Sequence, residues 1–159
     1  MLKKVCNTIS TIILIFLVVI GGLLLVPQLV GYKTFVIVSG SMEPNIPVGS
    51  LVYAKEVPFD EIQVDDIVSY QISSSTTVTH RVAEINQDVQ EVVTKGDAND
   101  VVDANPVSYS HIIGKVAFSI PILGSISLYM RSIIGVISII CLLIILFLLE
   151  YLPDKLNKK

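Results

Sequence analysis

The chain has 159 residues, of which 52% are hydrophobic, and its formal net charge at pH 7 is −3. Its mean hydropathy of +0.73 is high for a soluble domain. Residues 31–131 carry six basic and twelve acidic side chains, and this net charge of −6 argues against nucleic acid or an anionic lipid surface as the main partner.

The first predicted element is an apolar helix near the N-terminus, within residues 1–30. No charged side chain occurs between Lys4 and Lys33, and residues 12–26 are apolar apart from glycine. A helical run of this length can cross the hydrocarbon core of a bilayer, so it predicts a transmembrane anchor after a short cytoplasmic stub. A cleavable signal peptide is the alternative, but residues 26–29 lack the small-residue pattern of a cleavage site.

Residues 31–126 are predicted to form one small antiparallel β domain. Alternating patterns and β-branched residues predict strands at residues 34–39, 50–55, 66–72, 77–85, 89–95 and 112–118. Turn-forming residues separate these strands at short intervals, and we expect no amphipathic helix between them. About 100 residues suffice for one compact domain and no more.

A second apolar run predicts a C-terminal transmembrane helix over residues 127–150, followed by a basic tail over residues 151–159. No charged side chain lies between Arg131 and Glu150. Basic residues gather at the outer ends of the two helices, so the positive-inside rule predicts cytoplasmic termini and an extracytoplasmic β domain. The alternative is a pair of buried core helices, but so small a protein has too little other chain to cover both.

A serine-rich turn follows the first predicted strand, with the sequence Ser39-Gly40-Ser41-Met42-Glu43-Pro44. Glycine permits a close backbone approach and proline stiffens the exit, so Ser41 is predicted to be exposed and fixed, as a nucleophile must be. An ordinary turn serine is the alternative, and it would be preferred for an isolated motif.

An imidazole and a group of carboxylates complete the set of groups that serine acyl-transfer chemistry needs. His80 interrupts a β-branched strand and shares its face with Val78 and Val82, which predicts an inward side chain. The segment 95–103 then offers the carboxylates of Asp97, Asp100 and Asp103. Together these residues predict a nucleophile, a general base and an orienting acid beside a membrane.

Other functions for these residues are weaker. His111 lies before the last strand and is interpreted as a structural or surface residue. A calcium loop beginning at Asp97 would need glycine at its sixth and glutamate at its twelfth position, where Ser108 stands. Both cysteines, Cys6 and Cys141, fall in the apolar ends. No metal and no cofactor are expected.

These motifs resemble signal peptidase I, in the histidine-type branch of the endoplasmic reticulum, archaea and some Gram-positive bacteria (SipW-like). The serine-rich turn resembles the nucleophile box, Thr79-His80-Arg81 the base box, and residues 95–103 the acidic box. The resemblance covers residues 31–118 in the family's order. It implies a mainly β catalytic domain flanked by two transmembrane helices and a serine endopeptidase that cleaves signal peptides after small residues.

The resemblance also implies roles for individual residues. Ser41 would be the nucleophile and His80 the general base, while Ser39 and the Ser41 amide would form the oxyanion hole. Asp103 is our preferred orienting carboxylate and Asp97 a second important acid, although the sequence leaves their order open. Lys55 and Lys95 remain as bases of a minor serine–lysine alternative.

The expected partners are signal-peptide-bearing precursor proteins, the lipid bilayer and the translocation machinery, with no nucleic acid. The expected location is the plasma membrane, crossed twice, with the site on the extracytoplasmic face; the endoplasmic reticulum is the alternative. A non-catalytic membrane subunit, an assembly factor or an adhesin-type structural protein is the alternative function, and each predicts that Ser41 is dispensable.

Overall fold

The computed structural model describes residues 2–156, and these residues fall into two compact units. One unit is the β domain, Pro27–Ile126. The other consists of the helical segments before Pro27 and after Ile126.

The β domain is built on a sheet in which neighbouring strands run antiparallel. Within the described residues its strands are β1 (Tyr32–Val36), β2 (Leu51–Lys55), β3 (Ile67–Ser73), β4 (Thr76–Asn86), β5 (Glu91–Lys95), β6 (Val107–Ser108) and β7 (Ile112–Ile120). They follow one another across the sheet in the order β1-β2-β7-β3-β4-β5-β6. The strands β3, β4 and β5 are therefore neighbours, which brings the base box beside the strand that leads into the acidic box.

Two clusters of buried side chains support the sheet. One contains Val68, Val82 and Val92 from β3, β4 and β5, together with Phe59 and Ile62 from the preceding turn. The alternation of apolar and polar residues along the strands explains this cluster, because successive side chains point to opposite faces.

The second cluster supports the serine-rich turn. It joins Ile37, Met42 and Ile46 to Val52 of β2. Met42 is 1% exposed and Ile46 is 3% exposed. The two apolar residues that follow Ser41 thus anchor its turn to the core.

The helical unit contains the two long apolar segments. Its helices are α1 (Leu2–Leu29), α2 (Leu123–Arg131) and α3 (Ile133–Leu156), of which the ends of α1 and α2 extend into the β domain. By length and composition, Lys4–Leu29 and Ile133–Tyr151 can each cross a membrane. A mainly β domain flanked by two long apolar helices, as predicted, is confirmed.

The C-terminal helix differs in detail from the single element predicted from residue 127. Helix α2 begins at Leu123 and the helical run breaks at Ser132. The Ser132 hydroxyl donates to the Tyr129 carbonyl at 2.7 Å and accepts from the Gly135 amide at 3.1 Å. A serine that caps a new helix in this way restarts the helix, and hydropathy alone does not reveal such a break.

Candidate active site

Ser41 lies in a short 3₁₀ turn, Gly40–Met42, directly after the extended Ser39. A further turn follows it, in which the Ile46 amide donates to the Met42 carbonyl at 2.8 Å. The hydroxyls of Ser39 and Ser41 are 3.4 Å apart, within hydrogen-bond distance. The two residues predicted to supply the nucleophile and the oxyanion hole are therefore adjacent.

His80 lies in the middle of β4, opposite Val68 of β3. The residue is 9% exposed, as expected for an inward position between Val78 and Val82. Its Nδ1 is 2.7 Å from Oδ2 of Asp103. With the carboxylate ionised, Nδ1 carries the hydrogen and donates it, which leaves Nε2 as the acceptor of a proton.

Asp103 is held by several hydrogen bonds. Its Oδ2 accepts from Thr94 Oγ1 at 2.6 Å and from the Tyr70 hydroxyl at 3.2 Å, in addition to His80. Its backbone amide donates to the Thr94 carbonyl at 2.8 Å. Burial acts to raise the pKa of Asp103, but the hydrogen bonds from Thr94 and His80 outweigh it, so the pKa is lowered and the carboxylate stays ionised.

Asp97 has different partners. Arg81 donates to both of its carboxylate oxygens, from Nε at 2.8 Å and from Nη2 at 2.7 Å, and Asn45 Nδ2 donates to Oδ2 at 2.7 Å. The hydrogen bonds from Arg81 lower the pKa of Asp97, and the same interaction raises the pKa of Arg81. Of the two candidate acids, the structure therefore places Asp103 against His80 and Asp97 between Arg81 and Asn45.

Residues 95–103, which we call the acidic loop, also contact the serine-rich turn (the serine turn) through the backbone. The Ala98 amide donates to the Ser41 carbonyl at 2.9 Å. A Cβ at Gly96 would lie 2.7 Å from the same Ser41 oxygen, so this close approach requires glycine.

Ser41 and His80 line one groove of about 440 Å³. Residues 35–39 line this groove, and so do Ser75 and residues 77–80. In the described part of the chain no hydrogen bond joins the Ser41 hydroxyl to His80. Catalytic hydrogen bonds are often long before substrate binds, so the missing hydrogen bond is compatible with Ser41 and His80 acting together.

The remaining candidates do not line the Ser41 groove. His111 is exposed and lines a second cavity, of about 360 Å³, which also contacts His80 and Asp103. The Lys55 ammonium lies 5.9 Å from the ring centre of Tyr32, at the end of β2. Among the described residues there is no cluster of three or more histidine, cysteine, aspartate or glutamate side chains that could hold a metal ion.

Thr94, Tyr70 and Asn45 also belong to the site, although they were not predicted from the sequence. Thr94 is fully buried and Tyr70 is 6% exposed. The one available signal was strand periodicity, because Thr94 shares its face with Val92 and a polar group at a buried position needs a hydrogen-bond partner. Asn45 gave no such signal, since asparagine is ordinary in a turn.

The chain is similar to known signal peptidases. It is 36% identical over 89 residues to signal peptidase I W of Bacillus subtilis (strain 168), a match that covers 54% of this chain and 47% of that protein. It is 28% identical over 109 residues to the signal peptidase complex catalytic subunit SEC11C of Homo sapiens and of Mus musculus, covering 61% of this chain and 56% of theirs.

No protein-family model matches the chain. The chain spans about half the length of the relatives it matches. The chain is nevertheless related to the signal peptidases, and specifically to the SipW-like signal peptidase I group. This confirms the relationship predicted from its three motifs.

Proposed function

We propose that this protein is a membrane-bound serine endopeptidase that removes signal peptides from secretory precursors after small residues. The observation that carries the proposal is the 2.7 Å hydrogen bond between Asp103 and His80, because His80 lines the same groove as Ser41. The similar proteins are signal peptidases, and the two long apolar helices support a membrane-associated protein.

The proposed reaction begins when Ser41 Oγ attacks the scissile carbonyl while His80 Nε2 takes the hydroxyl proton. Asp103 accepts the hydrogen bond from the imidazolium and stabilises its positive charge. The oxyanion of the tetrahedral intermediate accepts hydrogen bonds from the Ser41 amide and the Ser39 hydroxyl. Each such donor stabilises the intermediate by about 3 kcal/mol.

The intermediate collapses when the carbon–nitrogen bond breaks and His80 returns its proton to the leaving amine. The product at this stage is an ester between Ser41 and the new C-terminus of the signal peptide. Water then attacks the ester while His80 again takes a proton, and Ser41 recovers its hydrogen as the free carboxylate leaves. Both halves of the reaction use the same base and the same oxyanion donors.

The groove suits an extended peptide. Strand β1 is an end strand of the sheet and leads into residues 37–39, which line the groove. A precursor segment that adds alongside residues 35–39 would bond through its backbone and direct alternate side chains into the groove. Steric rejection of large side chains in this groove would select small residues before the cut.

The proposed setting is the plasma membrane. The two apolar helices would cross it, with both termini in the cytoplasm and the groove outside. Precursors that are anchored in the same bilayer would then present their cleavage sites near the groove at a high effective concentration. Contact with the translocation machinery is part of this proposal.

The test is cleavage of a labelled precursor, with alanine at the last and third-last positions before the cut, by the full-length protein in detergent. We expect Ser41→Ala and His80→Ala to abolish turnover, with a loss of about 10⁴-fold or more. Ser110→Ala is the matched control, because its side chain is exposed and does not line the Ser41 groove. Full turnover by Ser41→Ala would refute the enzyme and favour a non-catalytic membrane subunit.

A further inference from the structure

The hydrogen bonds on Asp103 extend into the core beyond the imidazole. Thr94 Oγ1 donates to Asp103 Oδ2 at 2.6 Å, and the Tyr70 hydroxyl lies 3.2 Å from the same oxygen. The two hydroxyls are also 3.1 Å from each other. Four side chains on β3, β4, β5 and the acidic loop therefore meet at a single carboxylate oxygen.

The residues that carry the two hydroxyl groups are more deeply buried than the carboxylate itself. Thr94 is fully buried and Tyr70 is 6% exposed, whereas the side chain of Asp103 is 24% exposed. Asp103 belongs to the loop between β5 and β6, eight residues beyond the end of β5. An acid on a loop needs rigid neighbours if it is to keep one oxygen aimed at a histidine.

We propose that the hydroxyls of Thr94 and Tyr70 are positioning groups, which hold the Asp103 carboxylate toward the base histidine. This inference rests on the proposed function and deepens it. The three partners of Oδ2 are all hydrogen-bond donors, so the oxygen is kept ionised and in one orientation. Each rotation of the carboxylate away from His80 breaks the Thr94 and Tyr70 hydrogen bonds as well.

The chemistry of Tyr70 suits this role. Burial, with the nearby charge of Asp103, raises the pKa of Tyr70 to about 12. The phenol therefore keeps its hydrogen, and remains a donor, throughout the range in which the imidazole acts as a base. Its ring also meets the His80 ring edge to face, with 6.4 Å between ring centres, which limits movement of the imidazole.

The alternative is that both residues only fill the core. Val68, Val82 and Val92 surround Tyr70 in the larger buried cluster. A packing role predicts that removing either hydroxyl alone, with the side-chain shape kept, leaves turnover unchanged. The two roles therefore separate in variants that delete only the oxygen or replace it by a methyl group.

The experiment measures kcat and KM for precursor cleavage by the full-length protein in detergent. We expect Thr94→Val and Tyr70→Phe each to lower kcat about tenfold, the effect of one lost hydrogen bond to a charged group, with KM changed less than about twofold. Thr94→Ser restores the hydroxyl and should recover most of kcat. Tyr109→Phe is the matched control, because its hydroxyl donates to the Val57 carbonyl at 2.8 Å, outside the site.

The same substitutions in an Asp103→Ala background test whether they act through the carboxylate. We expect no further fall in kcat there, since the group that they position is gone. Wild-type kcat in both Thr94→Val and Tyr70→Phe would overturn the inference, as would an undiminished tenfold loss in the Asp103→Ala background. Thr94→Val could fail to fold, which its thermal midpoint would show. In that case the kcat of Tyr70→Phe alone tests the positioning role, because this variant removes a single oxygen.

Failure of this inference is distinct from failure of the proposed function. Turnover that depends on Ser41 and Asp103 but not on Thr94 or Tyr70 would overturn the positioning role alone. Turnover that survives Ser41→Ala would overturn the proposed enzyme, and the positioning role with it.

Discussion

Arg81 and Asp97 form a bidentate ion pair. The arginine Nε donates to Oδ1 at 2.8 Å and its Nη2 donates to Oδ2 at 2.7 Å. Arg81 directly follows His80 on β4, and Asp97 also accepts from Asn45 in the segment after the serine turn. A single carboxylate thus links the strand that contains His80 to the segment that follows Ser41. Asp97 and Asp103 differ in their partners, so we expect their substitution to have different effects on stability and on kcat.

The first prediction separates the two acids. Asp97→Ala leaves Arg81 without its carboxylate, and we expect it to lower the free energy of unfolding by about 2–3 kcal/mol. Asp103→Ala should lower kcat about 10³-fold or more, because it removes the carboxylate that accepts the hydrogen bond from His80 Nδ1. Thermal melting and precursor cleavage by the full-length protein measure the two effects.

Asp100→Ala provides the control for both acids, since Asp100 is exposed in the same loop. It should match the wild type in both measurements. A larger fall in kcat for Asp97→Ala than for Asp103→Ala would reverse the proposed roles.

The second prediction concerns acid pH. The hydrogen bonds from Arg81 lower the pKa of Asp97, and the pKa of Asp103 is lowered despite burial, by hydrogen bonds from Thr94 and His80. A carboxyl group whose pKa is lower in the folded than in the unfolded state stabilises the fold above the unfolded value, near 3.9. That stability is lost as the pH falls through the lowered values.

We therefore expect these two groups to leave the thermal midpoint unchanged between pH 7 and about 5, and to make it fall below about pH 4. Asp97→Asn removes one of the two groups and should flatten the fall below pH 4. Asp88→Asn, in the exposed turn after β4, should keep the wild-type slope. Equal slopes for Asp97→Asn and the wild type would show that Asp97 does not contribute.

Strand periodicity explains how much of the fold was predictable. The pattern around Val78, His80 and Val82 indicated an inward histidine, and His80 is buried. The strands predicted at residues 50–55, 66–72, 77–85, 89–95 and 112–118 lie close to observed strands, because one face of each strand packs on the core. The two-residue strand β6 and the helix break at Ser132 were not predicted. They depend on single hydrogen bonds and turns, which leave no periodic pattern in the sequence.

The candidate site was less predictable than the strands. Three aspartates stand within seven residues, and the sequence did not show which of them faces the histidine. The loop conformation decides this, because the Asp103 amide bonds to the Thr94 carbonyl and turns the carboxylate toward His80. The partners of these acids lie outside the 95–103 segment: Thr94 stands directly before it on β5, and Asn45 is 52 residues from Asp97 in the sequence.

The third prediction concerns the contact between the acidic loop and the serine turn. A Cβ at Gly96 would lie 2.7 Å from the Ser41 carbonyl oxygen and 2.8 Å from Asn99 Nδ2, both closer than real contacts allow. The φ of Gly96 is not in the left-handed region, so the effect of a side chain here is steric. Gly96→Ala must push the serine turn away and weaken the hydrogen bond from the Ala98 amide to Ser41.

We expect Gly96→Ala to lower kcat at least about tenfold and the free energy of unfolding by about 1–3 kcal/mol, as overpacking usually does. Gly21→Ala is the matched control, because a Cβ at Gly21 in α1 meets no atom within 4 Å. Precursor cleavage and thermal melting of both full-length variants give the comparison. Wild-type kcat for Gly96→Ala would mean that the serine turn does not depend on close contact with the acidic loop, and the role of this loop would then be limited to Asp103.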